Sequence, residues 1–271
     1  MTTALAEPAN VPALKVTQSR VIVSEWIKFR SLRSSVWTLF AGVALLIGLS
    51  ALISAVTMSQ WNDLDANTRA TLDPIGAATS GSTFAQLATG VLAILMITGE
   101  YTTGMIRASL TVVPRRLPVL WAKLIVFSVV TFLVSLVASF AAFFITQAIL
   151  SSRDFGVSIT DGHALRAVLG LAFYLTVAGL IAMALGALLR GTAAAISTLV
   201  AVFLVIPPLV SLLPASISDD LVKYLPNSAG QAMFTVDASN SLSPGGGLLV
   251  FCGYAVVLVA VAAWRLRRAD V

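Results

Sequence analysis

Long runs of uncharged, apolar residues constrain this chain more than any other feature. The chain is 58% hydrophobic and only 11% charged, whereas soluble domains carry about 25% charged residues. A water-soluble fold of this length could not bury so much apolar surface, so its main solvent must be lipid. Because one membrane span needs about 20 apolar residues, the sequence predicts an all-α integral membrane protein with six transmembrane helices, at residues 36–57, 83–99, 118–150, 167–189, 193–213 and 248–264.

The first residues differ from the rest of the chain. Residues 1–19 are rich in Pro, Ala, Thr and Asn and lack the apolar core of a signal peptide. This composition predicts a disordered cytosolic tail. We expect residues 20–271 to form a single transmembrane domain.

An amphipathic segment precedes the first span. In residues 17–35, apolar side chains recur at three- and four-residue offsets among basic ones. This pattern predicts an N-terminal amphipathic helix at the membrane interface, with Trp26, Lys28, Arg30 and Arg33 as its interfacial residues. The alternative is that the segment is only the basic flank of the first span.

The distribution of charge predicts the orientation. Six spans place both termini on one side of the membrane, together with the connector after the second span and the turn after the fourth. That side carries 13 of the 17 Lys and Arg residues, and the other side carries Arg69, Arg153, Arg166 and Lys223. The positive-inside rule makes both termini cytoplasmic. The net charge of +5 then faces anionic lipid headgroups, so we expect no nucleic-acid partner.

The connector between the second and third spans holds patterned chemistry. Residues 102–110 can form a helix of about two turns whose apolar face consists of Met105, Ile106, Ser109 and Leu110. Such a short helix is not stable alone and needs a surface on which to dock. Glu100 needs a partner as well, either Arg107, a basic residue of the amphipathic helix, or another protein. A solvated basic loop is the alternative.

Other polar residues point to no catalytic or metal site. Cys252 lies in an apolar run, and His163 has no other His or Cys near it in sequence, so a metal site is not expected. The chain contains no P-loop motif. Gln86 and Thr89, within the second span, are candidate substrate-path residues, and contacts between helices are the alternative explanation that polar groups in a span favour.

Three stretches resemble type-2 ATP-binding-cassette (ABC) transporter permeases, most closely the actinobacterial-like exporters. The connector contributes Gly99-Glu100-Tyr101-x-x-Gly104-x-Ile106-Arg107, followed by Leu110, Pro114-Arg115-Arg116 and Lys123. The N-terminal segment contributes Ser24-Glu25-Trp26-x-Lys28-x-x-Ser31-x-Arg33-Ser34-x-x-Trp37-Thr38. The last outer loop contributes Leu225-Pro226-Asn227-Ser228-Ala229-Gly230-Gln231.

The resemblance implies a permease subunit in a bacterial plasma membrane. It would pair with a second copy of itself and with two cytosolic ATPase subunits, which would hold ATP and Mg, so no cofactor is expected on this chain. The connector would be the cytoplasmic coupling helix that docks on the ATPase, with the coupling residues Glu100, Tyr101, Thr103, Gly104, Met105, Ile106, Arg107 and Leu110.

The expected cargo is hydrophobic or amphiphilic, such as an antibiotic, a peptide or a lipid, and it would be exported. A membrane-embedded lipid-modifying enzyme and a secondary transporter are the alternatives. Both would need ionisable residues within the membrane, and the predicted spans carry charge only near their ends.

Overall fold

The computed structural model describes residues 17–102, 116–236 and 241–268. Regular structure within these ranges is helical throughout. A 3₁₀ turn at Ser151–Arg153 follows α6, and a π-helical turn at Ala201–Val205 joins α8 to α9. The α-helices are α1 Gln18–Ser31, α2 Arg33–Ser59, α3 Ala66–Thr71, α4 Pro74–Thr79, α5 Ser82–Thr102, α6 Arg116–Leu150, α7 Ala164–Leu189, α8 Thr192–Val200, α9 Ile206–Ser211, α10 Ala215–Val222, α11 Pro226–Gln231 and α12 Pro244–Arg268.

The six predicted spans are confirmed. Within the described residues, six helical stretches are long and apolar enough to cross a membrane, and each predicted span coincides with one of them. Their bounds are Arg33–Ser59, Pro74–Tyr101, Leu117–Arg153, Ala164–Leu189, Thr192–Ser211 and Pro244–Arg268. The chain is therefore an all-helical, multi-pass membrane protein.

Helices α5 and α7 form the centre of the bundle. About two thirds of the second span and 72% of the fourth are buried, against 17% to 22% for the first, fifth and sixth. Small residues permit this close packing. A Cβ on Gly186 of α7 would lie 2.7 Å from Ile97 of α5. Ala178, Ala182 and Gly186 stand four residues apart in α7 and are all buried. These three small residues therefore lie in a helix interface.

The start of α5 is held against α2 by a glycine and a serine. A Cβ on Gly81 would lie 2.4 Å from the carbonyl oxygen of Leu46, so a larger residue does not fit. The Gly81 amide donates to the Ser50 hydroxyl at 3.1 Å. Before the preceding helix, Asp73 caps α4 by accepting from the Ile75 backbone amide at 2.9 Å.

The fifth span is modified at Pro207 and Pro208 but is not ended there. The two prolines lie in the first turn of α9, directly after the π-helical turn. Proline lacks an amide hydrogen and clashes with the carbonyl four residues earlier, and a widened turn accommodates that clash.

Helix α5 extends further than predicted. Hydropathy places the end of the second span at Gly99, whereas α5 continues through Glu100 and Tyr101 to Thr102. The predicted tail lies almost wholly outside the described residues, which begin at Thr17. So do six of the predicted coupling residues, namely Thr103, Gly104, Met105, Ile106, Arg107 and Leu110.

Candidate functional site

Glu100 lies in the last turn of α5, where its carboxylate is buried against two lysines. The Oε1 atom accepts hydrogen bonds from Lys28 Nζ at 3.0 Å and from Lys123 Nζ at 2.8 Å. Lys28 comes from α1 and Lys123 from the second turn of α6. One carboxylate therefore joins three helices on the side of the membrane that carries α1, here called the N-terminal side.

Glu25 of α1 completes the group. Its two oxygens accept from Lys28 at 2.7 Å and from Lys123 at 2.6 Å. Each glutamate thus contacts each lysine, and the four charges sum to zero. We call Glu25, Lys28, Glu100 and Lys123 the ionic junction.

Burial makes the ionic junction energetically demanding. The side chains of Glu25, Lys123 and Glu100 are 2%, 5% and 10% exposed, and Lys28 is 29% exposed. Buried charges are tolerated when they are paired and hydrogen-bonded, and removal of one partner costs about 3–5 kcal/mol. Burial alone would lower the pKa of Lys28, but its hydrogen bond to Glu25 and the charge of Glu100 raise it.

Apolar packing brings α1 to this place. Val21, Glu25 and Phe29 recur every four residues and form the buried face of α1. Val21 packs with Val119 and Ala122 of α6. The Gln18 amide donates to the Pro118 carbonyl at 3.0 Å, so α1 lies beside the first turns of α6.

Tyr101 makes contacts on a different side of α5. The guanidinium of Arg190 lies 5.7 Å from the centre of its ring, within the range of a cation–π contact. Arg190 ends α7 in the left-handed conformation, with φ of 58°. In the preceding turn, the Leu188 carbonyl accepts from Arg265 of α12. Tyr101 therefore contacts the α7–α8 turn, to which the end of α12 is also bound.

A hydroxyl pair joins α5 to α8 one turn earlier. Thr192 Oγ1 donates to Thr98 Oγ1 at 2.8 Å. Together with the ionic junction and Tyr101, this contact connects the end of α5 to α1, α6, α7 and α8. A displacement of the chain that follows α5 would thus be transmitted to helices on several sides.

The structure decides part of what the sequence left open about Glu100. Of its three proposed partners, a basic residue of the amphipathic helix is confirmed, because Lys28 fills that role. Lys123 and Glu25 stood in the quoted motifs but not among the predicted site residues. Lys123 could have been found from the sequence, because it is a lone charge within an apolar span and such a charge needs a partner.

The other interfacial residues have different surroundings. Trp26, Arg30 and Arg33 are exposed, and so are Val23 and Ile27. Lys28 instead turns towards the bundle. The exposed face of α1 is therefore mixed apolar and basic, which suits a membrane interface.

Gln86 and Thr89 are buried in the opposite half of the bundle. Gln86 contacts the Tyr174 hydroxyl of α7, which also lies 2.8 Å from Asn227 of α11. Gln231 donates to Asn227 at 3.1 Å. We call Gln86, Tyr174, Asn227 and Gln231 the tyrosine cluster. Thr89 donates to the Ala85 carbonyl within its own helix. The prediction that Gln86 and Thr89 line a substrate path is not tested by these contacts.

Helix α11 packs inside the bundle at this end. Its Ala229 and Gly230 are buried, and the Tyr174 ring lies 5.3 Å from the rings of Phe234 and Phe251. Two short helices, α10 and α11, thus lie in the segment between the fifth and sixth spans. In the described part of the chain, no group of three or more His, Cys, Asp or Glu residues could hold a metal ion.

Comparison with known families gives one match. The family model described as "ABC-2 family transporter protein" matches residues 21–208. This range includes α1, the first four spans, most of the fifth and all four residues of the ionic junction. No curated protein matches the chain.

Proposed function

Because this chain belongs to the ABC-2 family of transporter proteins, we propose that it is the permease subunit of an ATP-driven exporter. The observation that carries this proposal is the set of contacts at the end of α5. Glu100 is bound to α1 and α6, and Tyr101 contacts the α7–α8 turn. A force applied to the following residues, 103–115, would reach most of the bundle.

The energy would come from a partner chain. The family implies an ATP-binding-cassette subunit, and this chain contains no P-loop. We propose that two such ATPase subunits, which bind ATP and Mg, act on two copies of the permease. The helix predicted at residues 102–110 would be the coupling helix that docks on the ATPase, with Gly104, Ile106 and Arg107 among its contacts.

The proposed orientation places α1 and both termini in the cytoplasm of a bacterial cell. The excess of Lys and Arg on the N-terminal side supports it. On that side, the exposed face of α1 would lie at the plasma membrane, with Trp26 at the level of the headgroups and Arg30 and Arg33 near anionic lipid.

The proposed cargo is hydrophobic or amphiphilic. The membrane-buried side chains that could face a pathway are apolar, or carry hydroxyl or amide groups, such as Gln86 and Thr89. Such walls suit an antibiotic, a peptide or a lipid better than a small ion, which would need rings of backbone carbonyls or of charged side chains.

Copurification and ATP hydrolysis test the proposal. The chain is coexpressed with each candidate ABC ATPase subunit of the same genome, purified by a tag on the permease and reconstituted in vesicles. We expect a stable complex whose ATP hydrolysis exceeds that of the ATPase alone. Arg107→Glu should weaken the complex, whereas Arg153→Glu should not, because Arg153 is an exposed arginine in the 3₁₀ turn at the far end of the third span. Transport by the permease without any ATPase would contradict the proposal.

A further inference from the structure

An apolar groove lies between α6, α7 and α12, outside the sites described above. Its volume is about 550 Å³, and its walls are almost entirely hydrocarbon. The hydroxyl of Ser128, in the wall, donates to the Leu124 carbonyl at 2.7 Å and so offers little polarity. Six of the lining residues define its extent, namely Trp121, Ile125, Val129, Leu180, Val256 and Ala260.

The groove lies in the half of the bundle nearest the N-terminal side. Trp121 follows the start of α6 by five residues, and Ala260 precedes the end of α12 by eight. From Trp121 to Val129 the groove follows α6 for about 12 Å, at 1.5 Å per residue. It therefore extends from the headgroup level into one leaflet, as an acyl chain does.

Basic and aromatic residues stand at the mouth of the groove. Arg267 follows Ala260 by seven positions, so it lies on the same face of α12, two turns nearer the headgroups. Trp264 lies between them, and the Arg268 guanidinium stacks 4.6 Å from its ring centre. Both arginines and Trp264 are exposed. This is an arrangement suited to a phosphate.

We propose that this groove binds one anionic phospholipid of the adjacent leaflet, with an acyl chain along α6 and α12 and its phosphate at Arg267. Burial of methylene groups provides affinity, and the arginine selects the headgroup. The inference does not depend on the proposed function, because it uses only the geometry of one face of the bundle and its position relative to the chain ends.

Tryptophan fluorescence can measure the headgroup preference at this site. A variant that keeps Trp121 as its single tryptophan is reconstituted in phosphatidylcholine vesicles that contain increasing fractions of brominated phosphatidylglycerol. Bromine quenches tryptophan only at short range, so quenching reports lipid beside Trp121, which lines the groove and is 48% exposed. We expect phosphatidylglycerol to bind about fivefold more tightly than phosphatidylcholine, the preference that one arginine near a membrane surface provides.

Matched variants separate this site from ordinary lipid contact. Arg267→Gln should reduce the ratio of phosphatidylglycerol affinity to phosphatidylcholine affinity to near unity. Arg30→Gln, which changes an exposed arginine of α1, should leave this ratio unchanged. Val256→Phe should fill the groove and weaken quenching. Val257→Phe should not, because Val257 is 60% exposed but does not line the groove.

Native mass spectrometry of the unmodified chain provides a second measurement, which does not need the single-tryptophan variant. We expect one retained phosphatidylglycerol on the wild-type and Val257→Phe chains and none on Val256→Phe. Equal binding of the two lipids by the wild-type chain, or a preference that survives Arg267→Gln, would overturn the proposal. A second protein copy that protects Trp121 from quenching would overturn it as well.

Discussion

Lys123 and Glu25 stand 98 positions apart in the sequence, yet Lys123 Nζ lies 2.6 Å from Glu25 Oε2. The same ammonium lies 2.8 Å from Glu100. A single side chain near the start of the third span therefore binds both the N-terminal helix and the end of the second span. This relationship joins the end of α5 to α1 and α6 as one connected group of helices.

Removal of Lys123 should destabilise the fold. In Lys123→Met, Lys28 is the one lysine among the described residues that still pairs with Glu25 and Glu100, and a buried charge that loses a partner costs about 3–5 kcal/mol. Titration with SDS in mixed micelles measures the free energy of unfolding. Lys223→Met is the control, because Lys223 pairs with Asp220 at 2.6 Å on an exposed surface, where ion pairs contribute little. Equal stability of the two variants would show that the ionic junction is not structural.

The contribution of Glu100 to the free energy of unfolding should depend on the presence of Lys123. Residues in one salt-bridge network have interaction energies of about 0.5–3 kcal/mol. We therefore expect Glu100→Gln combined with Lys123→Met to destabilise the fold by less than the sum of the two single substitutions. A double-mutant cycle measures this difference, and strict additivity would mean that the contact has no energetic weight.

The tyrosine cluster should hold α11 in the bundle. Tyr174→Phe keeps the ring stack but leaves the buried oxygen of Gln86 without its hydroxyl partner, at a cost of about 1–3 kcal/mol. Hydrogen exchange in α11 should accelerate, together with a fall in thermal stability. Tyr254→Phe is the control, since the Tyr254 hydroxyl bonds to the Tyr224 carbonyl at an exposed site. Unchanged exchange in Tyr174→Phe would refute a role for the cluster.

Gly81 should tolerate no side chain. In Gly81→Ala the new Cβ would meet the backbone of α2, which cannot move aside as a flexible side chain can. Overpacking of this kind costs about 1–3 kcal/mol. Gly253→Ala is a matched control because nothing lies within 4 Å of the corresponding Cβ. Similar melting temperatures for the two variants would contradict the close contact between Gly81 and Leu46.

The spans could be predicted from the sequence because lipid imposes a simple rule. A segment such as residues 36–57 without any charge is expected to cross the membrane as a helix, and the structure shows a helix there that is long and apolar enough to do so. The end of α5 was harder to place. Hydropathy falls at Glu100, but the helix continues because Lys28 and Lys123 neutralise that carboxylate. A hydropathy value averaged over neighbouring residues contains no information about those distant partners.

The tertiary contacts of the site were only partly predictable. A basic residue of α1 was one of three partners expected for Glu100, since a carboxylate at a span end needs a counter-charge. The choice of Lys28 and Lys123 depends on the position of α1 beside α6, which Val21 and Val119 determine. Likewise, the stack of Tyr174 against Phe251 requires α11 to enter the bundle, and no periodicity in residues 226–231 indicates this.

The most direct test is the ATPase activity of the reconstituted complex with Glu100→Gln in the permease. This substitution keeps the size of the side chain but removes the charge that binds Lys28 and Lys123. Asp220→Asn, in the exposed pair with Lys223, is the control. We predict that both complexes assemble and that only Glu100→Gln loses the stimulation of ATP hydrolysis by the permease. Full stimulation in an assembled Glu100→Gln complex would contradict the account.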